Sequence, residues 1–159
     1  MSRWIRQWIP VLVWAVIIWT LSTRYFSAAD TASWIKPLLR WLDPGISAQA
    51  LNAAHYAIRK AAHFVEYYVF CLLLYRAVRG EERGWHLKWA LIALVTAGCY
   101  AGLDEVHQAL VVNRGASAMD AILDSSSAFA AMAICWLSTL LRTPAPAAQD
   151  ATSTIPPRF

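Results

Sequence analysis

The chain has 159 residues, of which 58% are hydrophobic and only 15% are charged, and its mean hydropathy is +0.40. This composition is too apolar for an ordinary soluble domain and indicates an integral membrane protein. The formal net charge is +4, but the cations lie between apolar segments rather than in one basic patch, which argues against a nucleic-acid partner.

At roughly 20 residues per span, the chain is long enough for about four membrane-crossing helices. Pro10 falls in the first turn of the first apolar run, where a missing N–H does no harm. That run can also be read as a cleaved signal peptide, because Ser27-Ala28-Ala29 resembles a cleavage site. We predict an all-α fold, a polytopic membrane bundle of four transmembrane helices. The four apolar runs are residues 7–23, 61–78, 88–112 and 117–141.

Residues 33–42 lie between the first two spans and mix Trp, Ile and Leu with Lys36 and Arg40. This pattern is typical of a short helix in the headgroup plane. Pro37 lies early enough to be in its first turn, and Pro44-Gly45 ends it. We expect a short interfacial helix that connects the first two spans or that forms a lid over a site.

Small residues and prolines indicate the packing and the domain limits. Gly98 and Gly102, four residues apart in the third run, predict the close approach of a neighbouring helix. Residues 1–142 are expected to form the transmembrane domain. The Pro- and Ala-rich residues 143–159 are expected to form a disordered C-terminal tail.

Ionisable and amide side chains recur at helical spacing in the last three spans. Arg59, His63 and Glu66 share one helix face, and alternation of the spans brings the polar end of each to the same side of the membrane. Glu66, Asp104 and Asp124 each lie about 10 to 12 Å along their helix from the end on that side. A charge at the bilayer centre costs about 2.5 to 3.5 kcal/mol, so we predict that these groups face one another in a polar pocket.

Lys and Arg counts bear on orientation. With four spans, both termini lie on the same side of the membrane. Eight Lys and Arg residues fall on that side and six on the other, which favours cytoplasmic termini. The polar pocket would then open toward the outer leaflet.

The polar residues of the last three spans form the motif Arg59-Lys60-x-x-His63-Phe64-x-Glu66-Tyr67, then Asp104-Glu105-x-x-Gln108, then Arg114-x5-Asp120-x3-Asp124. This motif resembles the signature of the VanZ-like family of small bacterial membrane proteins, over about residues 10–140. Ser22 also fits the family pattern, whereas Ser125-Ser126-Ser127 stands where the family usually has Gly. The resemblance implies a multi-pass plasma-membrane protein of the cell envelope, in a family linked to antibiotic resistance against the glycopeptide teicoplanin.

The chemistry of these residues favours binding of a phosphate-bearing lipid. Arg59, Lys60 and Arg114 suit the phosphate of a headgroup at this depth, and the partner would be a membrane lipid or a lipid-linked envelope intermediate. Tyr67 and Gln108 complete the predicted ligand-binding set.

Other functions stay open, and the sequence does not decide whether the protein is an enzyme. A hydrolase or transferase acting on a lipid headgroup would use a base and a divalent cation such as Mg²⁺. The site could also serve a small proton-coupled transporter or only fix helix packing. Candidate catalytic residues are His63, Glu66, Asp104, Glu105, Asp120 and Asp124. Candidate metal ligands are Asp104, Glu105, Asp120 and Asp124.

Overall fold

A computed structural model of the chain describes residues 2–111 and 117–142. Every regular element in these ranges is helical, and four helices are long and apolar enough to cross a membrane. The predicted all-α bundle, with a short helix between the first two spans, is confirmed. The predicted tail at 143–159 lies outside the described ranges. The elements are α1 (Arg3–Leu21), a 3₁₀ turn (Arg24–Phe26), α2 (Ala28–Leu42), α3 (Ala48–Arg79), α4 (Leu87–Leu110) and α5 (Ala118–Arg142).

Helix α1 begins at Arg3 rather than at residue 7, so Pro10 lies in its interior and not in the first turn. The prediction for Pro10 is therefore wrong. Proline has no N–H to donate to the carbonyl four residues earlier, which is that of Arg6. The Arg6 carbonyl instead accepts from Nη2 of Arg76 on α3, at 3.5 Å.

Helix α2 begins at Ala28, because Ser27 caps it. The Ser27 hydroxyl accepts from the Asp30 amide at 3.2 Å and donates to the Asp30 carboxylate at 2.5 Å. The residues that resemble a cleavage site thus begin this helix. Pro37 lies inside α2, so its predicted place in the first turn is wrong.

Helix α3 is the central element and packs against α1, α2, α4 and α5. Ser47 caps it by accepting from the Ala50 amide at 3.1 Å, and it ends at Gly80, whose φ is 64°. Its 32 residues span about 48 Å, more than the roughly 30 Å of a hydrocarbon core. The helix therefore extends beyond the predicted span, and its first turns pack against α2.

The apolar core pairs large side chains on α3 with small ones on α4. Tyr67, Phe70 and Leu74 of α3 are buried in one cluster with a stripe of alanines on α4. Gly98 and Gly102 lie off that stripe, and a Cβ added to either would meet nothing within 4 Å. The predicted close approach at the two glycines is wrong, because alanines occupy the tight contact. The stripe is Ala90, Ala93, Ala97 and Ala101.

Candidate functional site

A buried polar cluster joins four helices at the end of the bundle that holds the α1 C-terminus. Gln108 donates to the Asp104 carboxylate at 2.7 Å and to the Ser22 hydroxyl at 3.3 Å, which ties α4 to the end of α1. These side chains come together because α1 and α4 both end at this level. We call the following six residues the core cluster: Ser22, His63, Tyr67, Asp104, Gln108 and Asp124.

A histidine and an aspartate form the second half of the core cluster. Nδ1 of His63 on α3 lies 3.4 Å from Oδ1 of Asp124 on α5. Asp124 is 0% exposed and Tyr67, one turn further along α3, is also 0% exposed. The His63–Asp124 pair is thus an ionisable couple inside the bundle.

Several polar atoms of the core cluster have no hydrogen-bond partner among the described residues. They are both carboxylate oxygens of Asp124, Nδ1 of His63, one oxygen of Asp104 and the hydroxyl of Tyr67. Leaving a buried polar group unsatisfied costs about 1 to 3 kcal/mol. Carboxylate oxygens only accept hydrogen bonds when ionised, so the core cluster can take up a donor or a positive charge.

Three further predicted residues, Lys60, Glu105 and Asp120, lie closer to the rim. Lys60 of α3 forms an ion pair with Asp120 in the first turn of α5. Glu105 of α4 accepts from the Ser117 amide at 2.6 Å, which holds the start of α5 against α4. These contacts position the helix ends. Arg114, which we predict in the same region, lies outside the described residues.

A cavity of about 370 Å³ opens beside the core cluster, between α2, α3 and the end of α1. Arg59, His63 and Glu66 line it from α3, and eight of its twelve lining residues are apolar. His63 therefore lies between this cavity and the buried Asp124. We call it the side cavity, and it is lined by Leu21, Phe26, Thr31, Trp34, Ile35, Leu38, Leu39, Ile58, Arg59, Ala62, His63 and Glu66.

Arg59 is fixed at the wall of the side cavity by the chain that follows α1. Its Nη1 donates to the Phe26 carbonyl at 2.9 Å and to the Thr31 hydroxyl at 3.1 Å. Thr31 also contacts Nε2 of His55 at 3.2 Å. Two of the five guanidinium N–H groups are used in this way. The planar group is held in place, and its remaining N–H groups make no hydrogen bond to the residues that the structure describes.

The structure separates Arg59 from Lys60, which we predict together as phosphate ligands. Successive residues point about 100° apart on a helix, so Arg59 faces the side cavity and Lys60 faces α5. The predicted acids are also spread out. Asp104 and Asp124 join the core cluster, Glu66 lines the side cavity, and Asp120 lies at the rim.

The predicted divalent metal ligands do not form one group. Within residues 2–111 and 117–142, no three His, Cys, Asp or Glu side chains are arranged to hold a metal ion. Asp104, Glu105 and Asp120 instead contact Gln108, the Ser117 amide and Lys60. The described donor set therefore does not fit Mg²⁺.

Sequence reasoning missed Thr31 and Phe26, which hold Arg59. Thr31 is 6% exposed and lies in the first turn of α2, before the residues that we predict to be helical. The Ser27-x-x-Asp30 cap was the available signal, since Ser at an N-cap with an acid three residues later marks a helix start. A helix beginning there would have put Thr31 on the face of α2 that meets α3.

The comparisons with known proteins place the chain in a family. Residues 7–141 match the family model described as VanZ/LLP1. Neither the curated proteins nor the solved structures gave a significant match. The matched residues contain most of α1, all of α2, α3 and α4, and nearly all of α5, so they include both the core cluster and the side cavity. The chain therefore belongs to the VanZ/LLP1 family.

Proposed function

We propose that this protein binds a phosphate-bearing envelope lipid or glycolipid in the side cavity. The single observation that carries the proposal is the make-up of its wall, in which a fixed guanidinium stands among mostly apolar side chains. An amphiphile matches such a wall, because its phosphate can contact Arg59 while its chains contact Trp34, Leu38 and Leu39. Arg presents paired N–H donors that match phosphate oxygens.

The outer surface of α2 supports a location at the membrane interface. Trp34 is 56% exposed and Trp41 is 76% exposed, and Leu38 and Leu42 are exposed on the same helix. Tryptophan is favoured at headgroup level, where its ring is apolar and its N–H is polar. An α2 lying in that plane would place the side cavity at the depth of lipid phosphates.

The proposed setting is the outer leaflet of the plasma membrane, with both termini cytoplasmic. The Lys and Arg distribution supports this orientation. A protein that handles an envelope lipid there would affect the cell-wall target region of teicoplanin-type antibiotics. We therefore propose that loss of lipid binding at Arg59 raises susceptibility to teicoplanin.

The test is native mass spectrometry of protein extracted gently with its lipids. We expect the wild type to retain a phospholipid or phosphoglycolipid and Arg59→Gln to retain at least about tenfold less, since a hydrogen bond to a charged group contributes about 1.5 to 3 kcal/mol. Arg40→Gln is the matched control, because Arg40 is exposed on α2 and does not line the side cavity. Equal retention by both variants, or none by the wild type, would contradict the proposal.

A second candidate function is acid–base chemistry on the bound headgroup. It is favoured by the position of His63, which lines the side cavity while its Nδ1 faces Asp124. A buried aspartate that orients an imidazole is a common arrangement for proton transfer. Under this candidate, His63→Gln abolishes turnover of the retained lipid but leaves its retention intact. Unchanged lipid composition after prolonged incubation of the wild type would exclude it.

A further inference from the structure

The opposite end of the bundle holds a second concavity with a different character. It has a volume of about 360 Å³ and lies between the start of α1 and the end of α3. Four arginines and one glutamate line it, so its formal charge is strongly positive. It is lined by Arg3, Arg6, Gln7, Arg76, Arg79, Gly80 and Glu81. We call it the arginine pocket.

Two of the four arginines, Arg76 and Arg79, are held by contacts within the protein. The Arg6 carbonyl, left without a helix donor by Pro10, accepts from Arg76 at 3.5 Å. Arg79 donates to the Gly84 carbonyl at 3.2 Å and lies over the Tyr75 ring. Its Nε is buried and has no hydrogen-bond partner among the described residues. The Arg76 and Arg79 guanidinium groups are therefore held in place before any ligand arrives.

The charges at the start of α1 conflict with the helix dipole. The N-terminus of a helix carries partial positive charge and favours acidic residues. The first turn of α1 contains no acid and carries Arg3 and Arg6 instead. Arg3 is compensated by Glu81 at 2.7 Å, in an ion pair where both side chains are mostly exposed. That one carboxylate leaves a surplus of positive charge, which an external anion would offset.

We propose that the arginine pocket binds the phosphate of an anionic phospholipid from the leaflet that contains the α1 N-terminus. Arginine forks match phosphate oxygens, and basic pockets at the ends of transmembrane helices recognise anionic headgroups. The acyl chains would lie against the exposed apolar surface of α1, which includes Ile5, Ile9 and Leu12. This site is separate from the side cavity and does not depend on the proposed function.

The experiment measures phospholipid retention in nanodiscs of phosphatidylglycerol mixed with phosphatidylcholine, followed by native mass spectrometry. The wild type should retain phosphatidylglycerol preferentially, and Arg6→Gln/Arg76→Gln should lower this retention about 30-fold. That factor corresponds to about 1 kcal/mol per arginine near a membrane surface, at about 1.4 kcal/mol per tenfold. Arg83→Gln is the matched control, because Arg83 is exposed in the neighbouring loop and does not line the pocket. It should retain phosphatidylglycerol like the wild type.

Two outcomes would overturn the inference. Undiminished phosphatidylglycerol retention by the double variant would show that the arginine pocket is not the site. Stabilisation of the detergent-solubilised protein by inorganic phosphate, as strong as that by phosphatidylglycerol, would replace the lipid assignment with a free anion. The double variant also separates the two sites, since it should lower phosphatidylglycerol retention while leaving lipid occupancy of the side cavity unchanged, because neither Arg6 nor Arg76 lines that cavity.

Discussion

The pair formed by His63 and Asp124 should show strong energetic coupling. His63→Leu leaves Asp124, which is 0% exposed, without the histidine 3.4 Å away. Removing one partner of a buried ion pair costs about 3 to 5 kcal/mol. Asp124→Leu leaves the buried Nδ1 of His63 without the carboxylate 3.4 Å away, at about 1 to 3 kcal/mol. The double variant replaces the pair with apolar groups and should lie within about 1 kcal/mol of wild type.

Reversible unfolding in mixed micelles, followed by circular dichroism, measures these free energies. The expected coupling between the two substitutions is at least about 3 kcal/mol. Ser125→Leu serves as the control, since Ser125 is exposed and its replacement should change the free energy of unfolding by about 0.5 kcal/mol or less. Additive losses in the double variant would refute the reasoning, because they would mean that the two side chains do not interact.

Three other substitutions test the packing and the wall of the side cavity. Ala97→Val should lower the free energy of unfolding by about 1 to 3 kcal/mol, because Ala97 is 0% exposed. Gly98→Ala should not lower it, since the added Cβ would meet nothing within 4 Å. Equal losses of stability for the two variants in thermal unfolding would contradict the close contact at the alanines. Thr31→Val removes a hydrogen bond to Arg59 and should weaken lipid retention several-fold, with less effect than removing the guanidinium; unchanged retention would mean that Thr31 does not position Arg59. Ser27→Ala removes the α2 cap and should cost about 1 kcal/mol of stability, measurable as faster amide exchange in the first turn of α2, and unaltered exchange there would contradict the capping role.

The number and order of the spans follow from the apolar runs, because a bilayer demands about 20 apolar residues per crossing helix. Helix starts were predicted less well. Residues 48–60 contain several alanines and follow the capping Ser47, yet they also include His55, Arg59 and Lys60. A hydropathy criterion rejects that stretch although its helix propensity is high. The first turns of α3 were therefore not predicted, and the second span was placed from residue 61.

Helical spacing also predicts which polar residues lie near one another, within limits. The i, i+4 spacing of Asp104 and Gln108 corresponds to a hydrogen bond in the structure. Spacing along one helix could not assign partners on other helices, since these depend on helix rotation. That is why Lys60 pairs with Asp120 while Arg59 turns toward Thr31.

The sequence also could not predict which face of α4 packs against its neighbours. Two small residues four positions apart predict a close contact with a neighbouring helix. The rotation of α4 instead buries Ala97 and Ala101 and leaves Gly98 and Gly102 off the contact. Alanine is small enough for close packing and has a higher helix propensity than glycine, so both residue types satisfy the pattern and only the structure distinguishes them.

Photocrosslinking from inside the side cavity tests its occupancy by a lipid most directly. A photoreactive phenylalanine replaces Leu39, which lines the side cavity, or Leu42, which is 65% exposed and does not. After extraction into detergent and irradiation, we predict a phosphate-containing lipid adduct at position 39 that decreases when Arg59→Gln is added, and little adduct at position 42. No adduct at position 39, or equal adducts at both positions, would contradict lipid binding in the side cavity.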